Sequence, residues 1–157
     1  MHDAVFFGPQ GFLLMTSAST FSQAQHGFGR DEEGNDLSSS NVGDWQSSWQ
    51  VIARDTELGD PYFVDIYDQD FPVYTAFLGE SGWESEQVST TLMGFIDCMH
   101  LLQSQGEQTQ AKFFPDEETL VDETKLAQLQ QQLTDMSAIA GYWQYFFRCY
   151  LDWLQED

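Results

Sequence analysis

The most constraining stretch of this chain lies at its C-terminal end. Ile139, Trp143, Phe146, Tyr150 and Trp153 recur at helical spacing, and Phe147, Leu151 and Leu154 widen the same apolar face. A helix that is apolar over so much of its circumference has to be covered on both flanks by the rest of the chain, or else pair with a second copy of itself as a homodimer. A covering layer must therefore be sought in the residues before it.

Two further helical patterns precede it. Leu92, Phe95, Ile96, Met99 and Leu102 recur at spacings of three and four, which predicts an amphipathic helix with Ser89 as its cap. Leu126, Leu129, Leu133 and Met136 predict another, and Asp116, Glu117 and Glu118 suit its first turn, where carboxylates meet the positive end of the helix dipole. A polar linker over 104–115, ending in Pro115, separates the two. The glutamines Gln128, Gln130, Gln131 and Gln132 read as a solvated helix face.

Upstream the period changes to that of strands. Tyr62, Val64 and Ile66 alternate with Phe63, Asp65 and Tyr67, which places Asp65 on the face opposite Val64. Trp49 to Arg54 and Val73 to Leu78 read as its neighbours. The turn clusters Glu57-Leu58-Gly59-Asp60-Pro61 and Asp68-Gln69-Asp70-Phe71-Pro72 fall between the three, as in an antiparallel meander. Phe12 to Met15, after Gly8-Pro9-Gln10-Gly11, predicts one more short buried strand. Residues 26–48 are polar and glycine-rich, and a mobile loop that does not pack is expected there. Strands first and helices later predict the α+β class: a mainly antiparallel sheet with helices packed on it and a helical C-terminal third, formed by the 157 residues as one domain.

Charge limits what such a domain can meet. Asp and Glu number 26 against 5 Lys and Arg, a formal charge of −21, far beyond the magnitude of about 2–8 usual for a small soluble domain. Hydrophobic residues at 41% and aromatics at 15% place that charge on a folded body and not on a disordered acidic tail. Such a field repels nucleic-acid phosphates and anionic lipid, and it speeds encounter with cationic proteins by roughly 10- to 1,000-fold at low salt. The expected partner is thus a basic protein, without direct nucleic-acid or membrane binding. The N-terminal residues lack the pattern of a secretory signal and no apolar run approaches membrane-spanning length, so a cytoplasmic protein is expected.

Catalytic and metal motifs are sparse. Cys98 and Cys149 stand far apart without CxxC spacing, and two buried thiols are expected in place of a disulfide or a zinc site. His100 is two residues from Cys98 on one helix, so the two side chains diverge. Asp60, Asp65, Asp68 and Asp70 match no recognised cation loop. The stretch beginning at Asp31 fails the EF-hand pattern, because Gly34 stands at loop position 4 and Val42 at the position that requires Glu. Gly27-Phe28-Gly29 lacks the third glycine and the lysine of a phosphate loop. No catalytic residue, cofactor or metal is expected. Trp45, Trp49 and Trp83 are expected to fill the core more than to form a ligand-stacking surface.

The stretch Trp49-Gln50-Val51-Ile52-Ala53-Arg54-Asp55, then Gly59-Asp60-Pro61-Tyr62-Phe63-Val64-Asp65, Pro72-Val73-Tyr74, Trp83, and Val88-Ser89 with Leu92 and Phe95, resembles the SUKH superfamily. That superfamily includes bacterial immunity proteins of polymorphic toxin systems and fungal regulators of cell-wall synthesis. The resemblance covers residues 45–103, with the helical region 116–155 as an addition. The initial helix usual in the family is not legible in residues 1–25. The resemblance implies an α+β, non-enzymatic domain that binds protein partners. In this reading Gly59 permits a tight turn, Asp60 bonds turn amides, and Trp49 and Trp83 pack over the sheet.

Charge and resemblance together predict an immunity-type protein that neutralises a basic, nuclease-like toxin domain. The alternative is a nucleic-acid mimic or regulatory adaptor that occupies a cellular basic protein. The carboxylates expected at the partner surface are Asp31, Glu32, Glu33 and Asp36 in the loop, with Asp55, Glu57, Asp60, Asp68 and Asp70 around the strand turns.

Overall fold

Six strands lie side by side as antiparallel neighbours in chain order. The computed structural model describes residues 2–39, 41, 43–106, 115–116 and 119–156. The strands are β1 (His2–Phe7), β2 (Gln10–Met15), β3 (Trp49–Asp55), β4 (Pro61–Asp65), β5 (Val73–Gly79) and β6 (Gly82–Ser89). A short helix, α1 (Ala18–Ala24), lies between β2 and β3, and α2 (Leu92–Gln105), α3 (Glu123–Ser137) and α4 (Gly141–Leu154) follow the sheet. The α+β class and the antiparallel meander are as the sequence predicts.

Alternation along the strands divides the apolar side chains between two faces. One face carries Val5, Phe7, Phe12, Tyr62, Val64, Val73 and Val88, and the three C-terminal helices cover it with Phe95, Cys98, Met99, Leu102, Leu126, Leu129, Leu133 and the aromatic stripe of α4. Trp143 is fully buried, and Phe146, Phe147, Tyr150 and Trp153 are nearly so. Most of the wide apolar face of α4 is therefore covered within the chain, each buried side chain contributing roughly 1.5–3 kcal/mol, while Leu151 stays exposed.

The other face carries Val51, Phe63 and Ala76 under Ala24 of α1 and Trp45, with Met15, Phe28, Trp49, Tyr74 and Trp83 around them. Trp49 stacks on Phe63 at 4.5 Å, and Trp83 meets Trp45 edge-on at 5.4 Å, so all three tryptophans of this side serve packing. A bulge in β3 between Val51 and Ala53 lets these two residues face opposite sides of the sheet.

Several expectations need correction. The loop over 26–48 is polar in composition, yet it packs: Trp45 is buried, and Phe28 lies under the Arg54 guanidinium at 4.8 Å. Arg54 also donates to the carbonyls of Ala24 and His26. The loop is hooked to the β5–β6 turn by the Trp83 amide, which donates to the Gly43 carbonyl. Gly82 sits there at φ +109°, and a side chain on it would collide with the backbone of Gly43.

Element boundaries also differ. Ser89 ends β6 and does not cap α2; Thr91 does, accepting from the Gly94 amide at 2.9 Å, while Ser89 Oγ donates to the Thr91 carbonyl. Asp116 lies well before α3, whose cap is Asp122, accepting from Thr124 and Lys125. Glu117 and Glu118, like most of the expected linker, lie outside the described residues. Ile66 and Tyr67 fall in the turn after β4 and are exposed. Strands β1 and β6 and the helix α1 have no counterpart in the sequence reading. Among the described residues, no helix is long and apolar enough to cross a membrane.

Candidate functional site

In a meander, alternate turns fall at the same end, so the β1–β2, β3–β4 and β5–β6 turns gather together. At that end a cleft of about 760 Å³ opens between the sheet and α4, within the usual range of about 300–1,000 Å³ for ligand pockets.

Strand and helix periods decide what lines it. On β6, Glu84, Glu86 and Val88 point to the helix side; Val88 is buried in the core, whereas Glu84 and Glu86, nearer the open end, face the cleft. Thr75 and Phe77 of β5 share that side. On α4, Tyr142, Tyr145, Phe146, Cys149 and Trp153 repeat at spacings of three and four and form the facing wall, with Glu156 just beyond the helix. Gln10, Gly11 and Phe12 of β2 and the turn residues Asp55, Glu57, Leu58 and Asp60 complete it.

The floor is a pair of tyrosines. Tyr62 from β4 and Tyr142 from α4 share a hydrogen bond between their buried hydroxyls. Burial pushes the ionisation of both well up, and the negative charges of Asp55 and Glu86 add to it, so both stay neutral. Thr75 Oγ1 donates to the Pro61 carbonyl beside them at 3.0 Å.

The β3–β4 turn is held by Asp55, whose carboxylate accepts from the amides of Glu57 (3.2 Å) and Leu58 (2.9 Å), while Gly59 adopts φ +75°. The sequence reading gave this amide-bonding role to Asp60. In the structure the Asp60 carboxyl lines the cleft instead, where burial and then the Asp55 charge raise its pKa. Glu57 is raised by burial and then by Asp55 and Glu156. The lining thus gathers six carboxylates, Asp55, Glu57, Asp60, Glu84, Glu86 and Glu156, with no lysine or arginine lining it among the described residues. Leu58, Phe77 and Tyr145 stand on the rim with 81%, 54% and 61% of their surface exposed.

Of the nine carboxylates expected at a partner surface, the structure brings only Asp55, Glu57 and Asp60 to this place. Asp68 and Asp70 sit in the β4–β5 turn at the opposite end of the sheet, where Asp68 accepts from the Asp70 amide at 3.0 Å. Asp31, Glu32, Glu33 and Asp36 lie in the loop that follows α1. There Asp31 accepts from the amides of Glu33 and Asn35 and from the Asn35 side chain, and Asp36 accepts from the amide and hydroxyl of Ser38. These bonds, led by the side chains of Asn35 and Ser38, hold both carboxyls below the ordinary range. Asp31 and Asp36 shape the loop, and Glu32, Glu33 and Asp36 are all exposed.

Asp60 lies at the opposite end from Asp65, Asp68 and Asp70, so the four do not converge. Among the described residues no three His, Cys, Asp or Glu side chains are grouped to hold a metal ion. Cys98 is buried, and burial followed by the Asp97 charge pushes its thiol up to about 12. Cys149 is only half-buried, at the cleft wall, contrary to the expectation of two buried thiols.

Sequence reasoning missed Glu84, Glu86, Glu156 and the aromatic wall of α4. The signal for the first two is the alternation in Trp83-Glu84-Ser85-Glu86-Gln87-Val88, a period of two with both acids on one side. Comparison of the chain with protein-family models, with curated proteins and with solved structures returned no match.

Proposed function

We propose that the protein is a non-enzymatic, cytoplasmic binding module of the immunity type, related to the SUKH superfamily, that neutralises a basic, nuclease-like toxin by covering its cationic surface. The observation that carries this reading is the cleft end of the sheet, where six carboxylates and three exposed apolar side chains surround one concavity with no lysine or arginine in its lining among the described residues. Division of labour follows from elementary electrostatics. The net charge of −21 draws a cationic protein in and sets the rate of encounter, which falls as salt rises. The apolar rim of Leu58, Phe77 and Tyr145 then sets how long the complex lasts, since contacts desolvated at an interface act mainly on dissociation.

Capture tests the reading. The immobilised chain, exposed at low salt to extract of its native cells, is expected to retain one stoichiometric cationic protein that elutes as ionic strength rises. A variant with Asp60, Glu84 and Glu86 changed to lysine is expected to retain none. Retention of several unrelated basic proteins would point to a nucleic-acid mimic instead, and retention of no cationic protein contradicts the proposal.

A further inference from the structure

We propose that the cleft is a socket for an arginine side chain of the basic partner, an inference that rests on the function proposed above and names the group recognised. Three features of the concavity select this occupant. Its carboxylates, when ionised, only accept hydrogen bonds, and a guanidinium offers five donors and no acceptor. The Gln10 side-chain oxygen, at the same wall, is buried without a hydrogen-bond partner among the described residues, a further acceptor in want of a donor. Phe77 and Tyr145 present exposed rings at the rim, and a planar guanidinium stacks on such faces where a compact, strongly hydrated ammonium does not match them as well.

Electrostatics agrees with the geometry. Glu57 and Asp60 are partly desolvated and repelled by Asp55, with Glu156 adding to the repulsion on Glu57, so they stand as acids crowded together. A cation placed among them relieves that repulsion. The neutral tyrosine pair below adds no charge of its own, so a guanidinium would meet carboxylates around it and aromatic surface at the rim.

The test uses the full chain and a nine-residue peptide with three arginines spaced by Gly and Ser, compared with its citrulline and lysine counterparts by calorimetry at low salt. The arginine peptide is expected to bind at least ~10-fold more tightly than the citrulline peptide, as for loss of a charge-assisted hydrogen bond, and more tightly than the lysine peptide. The double variant Glu84→Gln/Glu86→Gln is expected to weaken it by ~10-fold, while Glu32→Gln/Glu33→Gln, which removes the same charge from the loop, changes it less than ~2-fold. Bound peptide should also slow alkylation of Cys149 at the cleft wall. Equal losses from the two double variants, or unprotected Cys149, overturn the socket, and spermine that competes as well as the arginine peptide overturns the occupant. If a captured basic protein binds the Glu84→Gln/Glu86→Gln variant unchanged, the socket fails while the acidic-module reading stands.

Discussion

The side-chain amide of Gln25 both donates to the Val51 carbonyl at 2.9 Å and accepts from the Val51 amide at 2.8 Å. Strand β2 pairs with β3 only at Phe12–Leu14, opposite Asp55 to Ala53, so beyond that point β3 keeps β4 on one edge and has no strand on its β2 side. Gln25, at the end of α1, takes the place of the missing strand and satisfies the backbone next to the β3 bulge. Its Nε2 also donates to Phe21 at 2.9 Å, tying the amide to its own helix. Gln25→Ala is expected to cost about 2–4 kcal/mol in urea denaturation, because it strands two buried backbone groups. A loss below about 1 kcal/mol would show that α1 does not complete the sheet.

A second junction of the same kind joins the sheet to α4. Either Tyr62→Phe or Tyr142→Phe leaves one buried hydroxyl without its partner, and each is expected to destabilise the fold by roughly 1–3 kcal/mol. The double variant removes both polar groups, so its cost should fall well short of the sum. Additive losses in the double-mutant cycle would mean that the hydroxyls do not act as a pair.

How much of this was legible in the sequence varies with the physics of each element. The stripes of α2, α3 and α4 were legible because each has one buried and one solvated side, whereas β4, buried on both faces, was legible as a short apolar run between two turn clusters. Strand β1 was not, since Val5 and Phe7 are buried and Phe6 is half-buried, which blurs the period. Helix α1 is seven residues long, with three hydroxyl residues and no apolar stripe; a reciprocal Ser17–Thr20 cap and the bonds of Gln25 hold it, and both depend on tertiary context. Phe28 and Trp45 are single anchors inside a polar loop, and composition averages them away. The cleft was half legible. Its turn acids stood out in the sequence, whereas Glu84, Glu86 and the α4 wall meet them only through the meander and the docking of α4.

The raised carboxyls set a pH dependence. Glu57 and Asp60 have folded pKa values above the ordinary ones, so in the window just above the ordinary carboxylate range the folded chain binds more protons than the unfolded chain. Stability in that window falls as pH rises. Lowering the pH from about 7.5 to about 5 should therefore raise the Tm, and Glu57→Gln/Asp60→Asn should reduce that rise. Asp31 and Asp36 act in the opposite sense, since their depressed values give stability that is lost as pH falls through them at the acid end. A variant whose Tm changes with pH as steeply as the parent would exclude the cleft acids as the source.

The central claim is that a basic protein docks on the cleft end of the sheet. Hydrogen exchange of the full chain, with and without the captured partner, reads this directly. Slowed exchange is expected in the β3–β4 turn around Leu58, along β5 and β6 from Phe77 to Glu86, and at the start of α4 around Tyr145. Protection confined to the loop around Asp31, or to α2 and α3, would contradict it.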